Sequence, residues 1–328
     1  MNNNYTGAKE QKSKRAQALM LIIRDRTLLT FLVAAVLIIL MGTLRPDKPE
    51  GMYPTRYWAT KITWENCADM VIAGDSRSLM AVSPEELEKV FPGTEILNYA
   101  FGANWYSEKY LQALEELLYP NSKNKRIFVG ISPHALTHRT NSGHFLEMTK
   151  RSKQNIYIER QFAAILEFFE PMSFRDAFYG LFPNLAPTRT RKYFYPDGFV
   201  AVHKNPLELN ELKRYRKLFE KRQVSEIVIK NITDFTSKWT NEGIIVYGFL
   251  VPSCKEMAEM EKNISGFNEE KFKTVFKQAG GIWIDFDQTA YSSFDGSHLQ
   301  DEGAYRFSKD LAKSVKEIEN RFTKRFAD

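Results

Sequence analysis

The chain has 328 residues, 43% of them hydrophobic and 13% aromatic, which is enough for a packed core and excludes a disordered polypeptide. Its net charge is +6, but six cations against two acids before residue 27 supply +4 of it, leaving a nearly balanced remainder. With the basicity confined to one end and no basic stripe interleaved with aromatics, a nucleic-acid partner is not expected.

Residues 1–26 form the basic tail, and Thr27 to Leu44 follow without a single charged side chain. As a helix this stretch rises about 27 Å, close to the ~30 Å hydrocarbon core, so a single transmembrane helix is expected at 27–44. A cleaved signal peptide has a shorter apolar core and ends in a small-x-small site, whereas Arg45-Pro46-Asp47 follows here. The cations before the span keep the N-terminus cytoplasmic and place residues 45–328 on the other side of the membrane. Residues 45–67 read as linker and lead-in, and 68–328 as an α/β domain.

That domain opens with strand Met70–Ala73 and the turn Gly74-Asp75-Ser76-Arg77-Ser78. Ser83-Pro84-Glu85-Glu86 then has the form of a capping box, with Pro at the first helical position. Strand Glu95–Tyr99, the turn Ala100 to Asn104, a helix over 106–118 and strand Arg126–Ile131 complete a strand-helix alternation typical of a parallel sheet. Tyr110, Leu111, Leu114, Leu117 and Leu118 share one face of that helix.

Residues 135–240 break the rhythm and read as a mainly helical insertion without clear strands, with Tyr195–Phe199 as an internal turn and a long helix over 207–240. Such an excursion is suited to cover the active-site edge. Tyr193, Phe194, Tyr195 and Phe199 are then either packing residues or platforms for sugar rings. Strand Ile244–Val251, a helix over 268–279, strand Gly281–Phe286 and a last helix from Asp301 resume the core. In the last helix Ala304, Phe307, Leu311, Val315, Ile318 and Phe322 recur at core-facing spacing. Cys67 precedes one strand and Cys254 follows another, so they lie at opposite ends of a parallel sheet and are expected as free thiols.

Ser76 sits where a buried strand turns into a loop, at the C-terminal edge where open α/β sheets hold ligands. A serine hydroxyl is a weak nucleophile until a base takes its proton, and neutral imidazole suits that role. His298, in Phe294-Asp295-Gly296-Ser297-His298, comes off the same edge, and Asp295 three residues earlier can fix its tautomer. Arg77 and His134 are candidate substrate contacts, while Asp75 reads as a turn-holding residue. His138, His144 and His203 lack paired metal-ligand spacing, so no metal site is expected.

Gly74-Asp75-Ser76 and Asp295-Gly296-Ser297-His298 together resemble the SGNH (GDSL-like) hydrolase superfamily. The resemblance implies a three-layer, flavodoxin-like parallel sheet, catalytic Ser76, His298 and Asp295, and an oxyanion hole of the Ser76 and Gly102 backbone N–H groups. The family's third-strand Gly-x-Asn-Asp is absent, because Gly130-Ile131-Ser132-Pro133-His134 stands there, and Asn104 is the candidate to replace its side-chain donor. With the anchor and the insertion, the chain resembles the membrane-anchored members that work beside membrane-bound O-acyltransferases in teichoic acid D-alanylation and in alginate and peptidoglycan O-acetylation.

The resemblance implies a serine O-acyltransferase of a cell-surface or exported polysaccharide, acting through an acyl-Ser76 intermediate. It further implies a multi-pass membrane partner, an acyl donor, a glycan acceptor and no cofactor. An anchored esterase or deacetylase with the same residues, and a non-catalytic glycan-binding scaffold, are the competing expectations.

Overall fold

The structure, a computed structural model, describes residues 26–43, 50–138, 143–169, 173–182, 185, 189–205, 207–209 and 211–325. It divides into two compact units, one of Met1–Lys48 with Ala164–Ala186 and the other of Pro49–Ala163 with Pro187–Asp328. The first contains helix α1 (Arg26–Thr43), whose large apolar side chains from Leu28 to Met41 are exposed. The span expected at 27–44 is not supported as a crossing, because among the described residues no helix is long and apolar enough to cross a membrane. The basic tail up to residue 25 and residues 44–49 of the expected linker lie outside the described residues.

In the second unit a short strand β1 (Glu50–Gly51) and helix α2 (Pro54–Lys61) lead into β2 (Met70–Ala73). Helices α3 (Ser76–Ala81) and α4 (Pro84–Glu88), strand β3 (Ile96–Asn98), helix α5 (Glu108–Leu117) and strand β4 (Arg126–Ile131) follow. After a 3-10 turn at Pro133–Leu136 come α6 (His144–Thr149) and α7 (Lys153–Phe168), of which the residues from Ala164 on, like α8 (Phe174–Leu181), are counted in the first unit. Strands β5 (Arg189–Phe194) and β6 (Val200–Asn205), helices α9 (Glu211–Phe219) and α10 (Glu226–Asn241), and strand β7 (Ile245–Leu250) lead back to the core. Helices α11 (Lys255–Ile264) and α12 (Glu269–Gln278), strand β8 (Ile282–Ile284) and helix α13 (Asp301–Arg325) complete it.

The main sheet has five parallel strands in the order β3-β2-β4-β7-β8. Side chains alternate across it, as the period of two in a strand requires. Val71, Ala73, Ile127, Val129 and Val246 face the α5, α10 and α12 side, where Tyr110, Leu114, Ile232, Trp239 and Phe276 pack. Met70, Ile72, Phe128, Tyr247 and Phe249 face the other side, against Leu87 of α4 and Ala304, Phe307, Leu311 and Val315 of α13. The result is helix, sheet and helix in three layers. The stripe expected on α13 reaches only to Ile318, since Phe322 is 45% exposed.

Strand order reverses beside β2: β3 lies on one side of it and β4 on the other. The crevice at such a reversal, at the carboxyl end of the strands, is where open α/β sheets hold ligands, and the loop after β2 carries Ser76.

The insertion differs from expectation in two ways. Read as an insertion without clear strands, it holds two, because β5, with Arg189, Arg191 and Lys192, pairs antiparallel with β6 and parallel with β1 in a second, three-stranded sheet. The turn between them includes Gly198, at φ +88°, where an added Cβ would lie 2.1 Å from the Asn98 carbonyl oxygen. Asn98 N–H donates to the Asp197 carbonyl at 2.8 Å, which docks the hairpin on the end of β3. Phe194 and Phe199 are buried, so they are packing residues rather than sugar platforms.

The long helix expected over 207–240 is two helices, α9 and α10. Gln223 Nε2 donates to the Phe219 and Ile264 carbonyls at 2.7 and 2.9 Å, and Val224 and Ser225 N–H groups donate to Ser265 and Leu136. These tertiary partners replace the helical ones, and the chain breaks without glycine or proline. The capping box at Ser83 does not form either. Ser83 makes no side-chain cap bond, its N–H donates to Ser308 Oγ at 2.8 Å, and α4 is only five residues long.

Candidate active site

The turn after β2 is shaped by what packs inside it. Ser78 lies between two glycines: a Cβ on Gly74 would sit 2.0 Å from Ser78 Oγ, and one on Gly130 would sit 2.3 Å from it. Only the absence of both side chains lets the ends of β2 and β4 close on Ser78, whose hydroxyl donates to the Gly130 carbonyl at 3.2 Å. Asp75 caps α3 by accepting from Arg77 N–H at 2.9 Å, and Ser76 is the first residue of that helix.

Ser76 Oγ lies 2.8 Å from His298 Nε2, and His298 Nδ1 lies 2.7 Å from Asp295 Oδ2. Asp295 Oδ1 accepts from the N–H groups of Ser297 and His298 at 2.9 and 2.8 Å, so both carboxylate oxygens are held by the loop that carries the imidazole. Burial acts to raise Asp295, but the hydrogen bonds from His298 and the loop outweigh it and hold its carboxyl below the ordinary range. An ionised Asp295 fixes the proton on Nδ1 and leaves Nε2 as the acceptor facing Ser76. Phe294 lies parallel to the imidazole, with ring centroids 5.8 Å apart. The three residues are separated by up to 222 positions in the chain and meet in one hydrogen-bonded line.

The 99–104 turn is strapped to the nucleophile turn. The Gly74 carbonyl accepts from Phe101 N–H and from Asn104 Nδ2, each at 3.3 Å, while the Gly74 N–H donates to Tyr110 Oη at 2.9 Å. Asn104 is buried and directs its amide to that carbonyl, so it holds the turn. Gly102 has open space where a Cβ would stand, and its carbonyl accepts from His144 N–H at 3.3 Å. Ala103 next to it adopts φ +49°, a left-handed conformation that costs a non-glycine residue roughly 1 kcal/mol.

Arg77 and His134, the candidate substrate contacts, are both buried and held by protein partners. Arg77 is buried and forms a two-pronged ion pair with Glu261 of α11 at 3.0 and 2.6 Å. Its Nε donates to Ser297 Oγ at 2.9 Å, and its guanidinium lies 5.1 Å over the Tyr215 ring. Burial works against its charge, yet the attraction of Glu261 prevails and raises its pKa further above the ordinary arginine value. Arg77 therefore ties the helix of Ser76 to the loop of His298.

His134 is 3% exposed, with Nδ1 at 3.4 Å from Asp75 Oδ2 and its ring 4.8 Å from Tyr215. Ser132 donates to the same Asp75 oxygen at 2.6 Å. Burial alone would raise Asp75, but His134, Arg77 and Ser132 together drive its carboxyl well below the ordinary range. Asp75 is thus the anionic pin beneath the nucleophile turn. Glu261, Tyr215, Ser297 and Ser132 had no sequence signal, since each acts through a partner far away in the chain.

Cys67 and Cys254 are both free thiols. Among the described residues, no group of three or more His, Cys, Asp or Glu side chains is placed to hold a metal ion.

No family model matches this chain, and no curated protein matches it. A solved structure provisionally described as a platelet activating factor from Streptococcus pneumonia is similar to it at a TM-score of 0.36. Identity is 11%, over 89% of this chain and 99% of that one.

Proposed function

We propose that this protein is a serine acyltransferase of the SGNH type that modifies a polysaccharide through an acyl-Ser76 intermediate. The observation that carries the reading is the Ser76–His298–Asp295 line, with contacts of 2.8 and 2.7 Å at the C-terminal edge of a parallel sheet. In the first half-reaction Ser76 Oγ attacks the acyl carbonyl carbon while His298 Nε2 takes its proton. The backbone N–H groups of Ser76 and Gly102 are the candidates to meet the developing oxyanion. The imidazolium, held by Asp295, then gives its proton to the leaving group. In the second half-reaction a sugar hydroxyl loses its proton to His298 and attacks the acyl-serine, which releases the O-acylated glycan and restores the hydroxyl of Ser76. With water as acceptor, the same cycle makes the protein an esterase.

The membrane reading belongs to the same proposal. Helix α1 exposes large apolar side chains from Leu28 to Met41, whose favourable surroundings are apolar. This supports attachment to a bilayer, beside a multi-pass acyltransferase as the source of acyl groups.

The test is hydrolysis of a chromogenic acetyl ester by the full chain, by Ser76→Ala and by His298→Ala, followed by mass spectrometry with an acceptor oligosaccharide. Equal rates in all three proteins would remove the catalytic reading. Free acid as the sole product would leave the esterase.

A further inference from the structure

Exposed large apolar side chains are concentrated in two stretches. Eleven lie between Leu28 and Met41 and eleven between Tyr157 and Leu185, against seven in the rest of the described residues. The second group is ordered. On α7 and its last turn the exposed residues include Ile158, Phe162, Ile165, Leu166 and Phe169; on α8 and the turn after it they are Phe174, Phe178, Leu181, Phe182 and Leu185. Both sets follow the spacing i, i+4, i+7, i+8 and i+11, which is one face of a helix. Each helix therefore carries its apolar stripe outward, and Phe174 is 95% exposed.

We propose that α7 and α8 lie on a lipid bilayer, with these stripes in the boundary between head groups and acyl chains and with anionic lipid as the preferred surface. The composition of the stripes favours lipid over a protein partner. They are built from Ile, Leu and Phe, with none of the Trp, Tyr and Arg of interface hot spots on the stripes themselves and Tyr157 lying off the α7 stripe, and acyl chains make no directional demand. The charge around them agrees. Residues 150–192 hold eight Lys and Arg against four Asp and Glu, whereas the rest of the chain beyond residue 26 has an acidic excess. Arg151, Lys153, Arg160 and Arg175, on or beside the two helices in the sequence, are exposed. An amphipathic helix with an aromatic and aliphatic face and flanking cations is the type that settles in a membrane interface.

The inference rests on the membrane attachment proposed above, and one experiment separates the two. The full chain, with Cys67 and Cys254 changed to Ser, receives a single cysteine by Val36→Cys, Phe162→Cys, Phe178→Cys or Glu317→Cys and an environment-sensitive dye. Ile158→Cys and Leu181→Cys stand in if a labelled protein loses the wild-type melting temperature. Each is reconstituted in phosphatidylcholine vesicles with and without phosphatidylglycerol, then quenched by shallow or deep spin-labelled lipid or by aqueous iodide.

The expected result is deep quenching at 36, shallow quenching at 162 and 178 that rises about twofold with phosphatidylglycerol, and iodide quenching alone at 317. Deep quenching at 36 with iodide quenching at 162 and 178 overturns the inference and leaves the attachment standing. Protection of 162 and 178 from both lipid and iodide assigns the stripes to a protein interface and also overturns it. No lipid quenching at 36 overturns the attachment itself.

Discussion

Two turns leave the same edge of the sheet and use their polar groups in opposite ways. After β2, Ser76 is partly exposed and its hydroxyl meets His298, a base carried by a separate loop. At the end of β4 and after it, the groups of Gly130, Ser132 and His134 all turn inward: the Gly130 carbonyl accepts from Ser78 and from Tyr106 Oη, and Ser132 and His134 hold Asp75. A strand edge alone therefore does not make a reactive group. The reactive turn is the one whose hydroxyl is left outside the network that the other turn helps to build.

The comparison is broken most severely at the nucleophile. Ser76→Ala and His298→Ala are each expected to lower kcat on an acetyl ester by about a thousandfold or more, with the melting temperature near that of the wild type in Ser76→Ala, whose side chain is not fully buried. Steady-state rates beside thermal melts check this.

Next comes the ion pair that joins the helix of Ser76 to α11. Arg77→Met leaves Glu261 buried and uncompensated, at a cost of about 3–5 kcal/mol in urea unfolding, whereas Arg77→Met with Glu261→Met recovers most of the loss. If the double variant proves no more stable than the single one, the uncompensated charge of Glu261 is not the source of the loss.

A smaller effect is expected from Ser132→Ala, which removes one of the bonds on Asp75 and costs about 1–2 kcal/mol. Its pH dependence sharpens the point. Asp75 is depressed in the folded state, so its contribution is full above the ordinary carboxyl pKa of about 3.9 and is lost as pH falls below it. Ser132→Ala should therefore match the wild type most closely in acid.

The smallest effect lies in the hairpin turn, where burial pushes Asp197 up to about 6. A carboxyl raised in the folded state stabilises below its unfolded pKa, and that stability is lost as pH rises through the folded value. Unfolding measured at pH 4.5 and pH 7 (about the two ends of that window) should show a fall with rising pH that Asp197→Asn abolishes.

How much of this was legible in the sequence follows from the distance between partners. Gly74-Asp75-Ser76 and Asp295–His298 are local patterns, and the main-sheet strands carry the continuous apolar runs of buried parallel strands, so both could be read directly. Arg77 could not, because its fate is decided by Glu261, 184 residues away. The break between α9 and α10 is likewise made by Ser265, Leu136 and Ile264, and the capping box at Ser83 is pre-empted by Ser308. Strand β5 was hidden by its cations: Arg191 and Lys192 are exposed on a strand whose apolar content lies mainly in its partner, Val200, Ala201 and Val202.

The most direct test of the central claim is mass spectrometry of the intact protein after a brief acid quench during turnover of an activated acetyl ester. One added acetyl group is expected, mapped to the peptide containing Ser76, absent in Ser76→Ala and strongly reduced in His298→Ala. Turnover without that adduct in Ser76→Ala at the wild-type rate, or an acetyl group mapped to another residue, would contradict it.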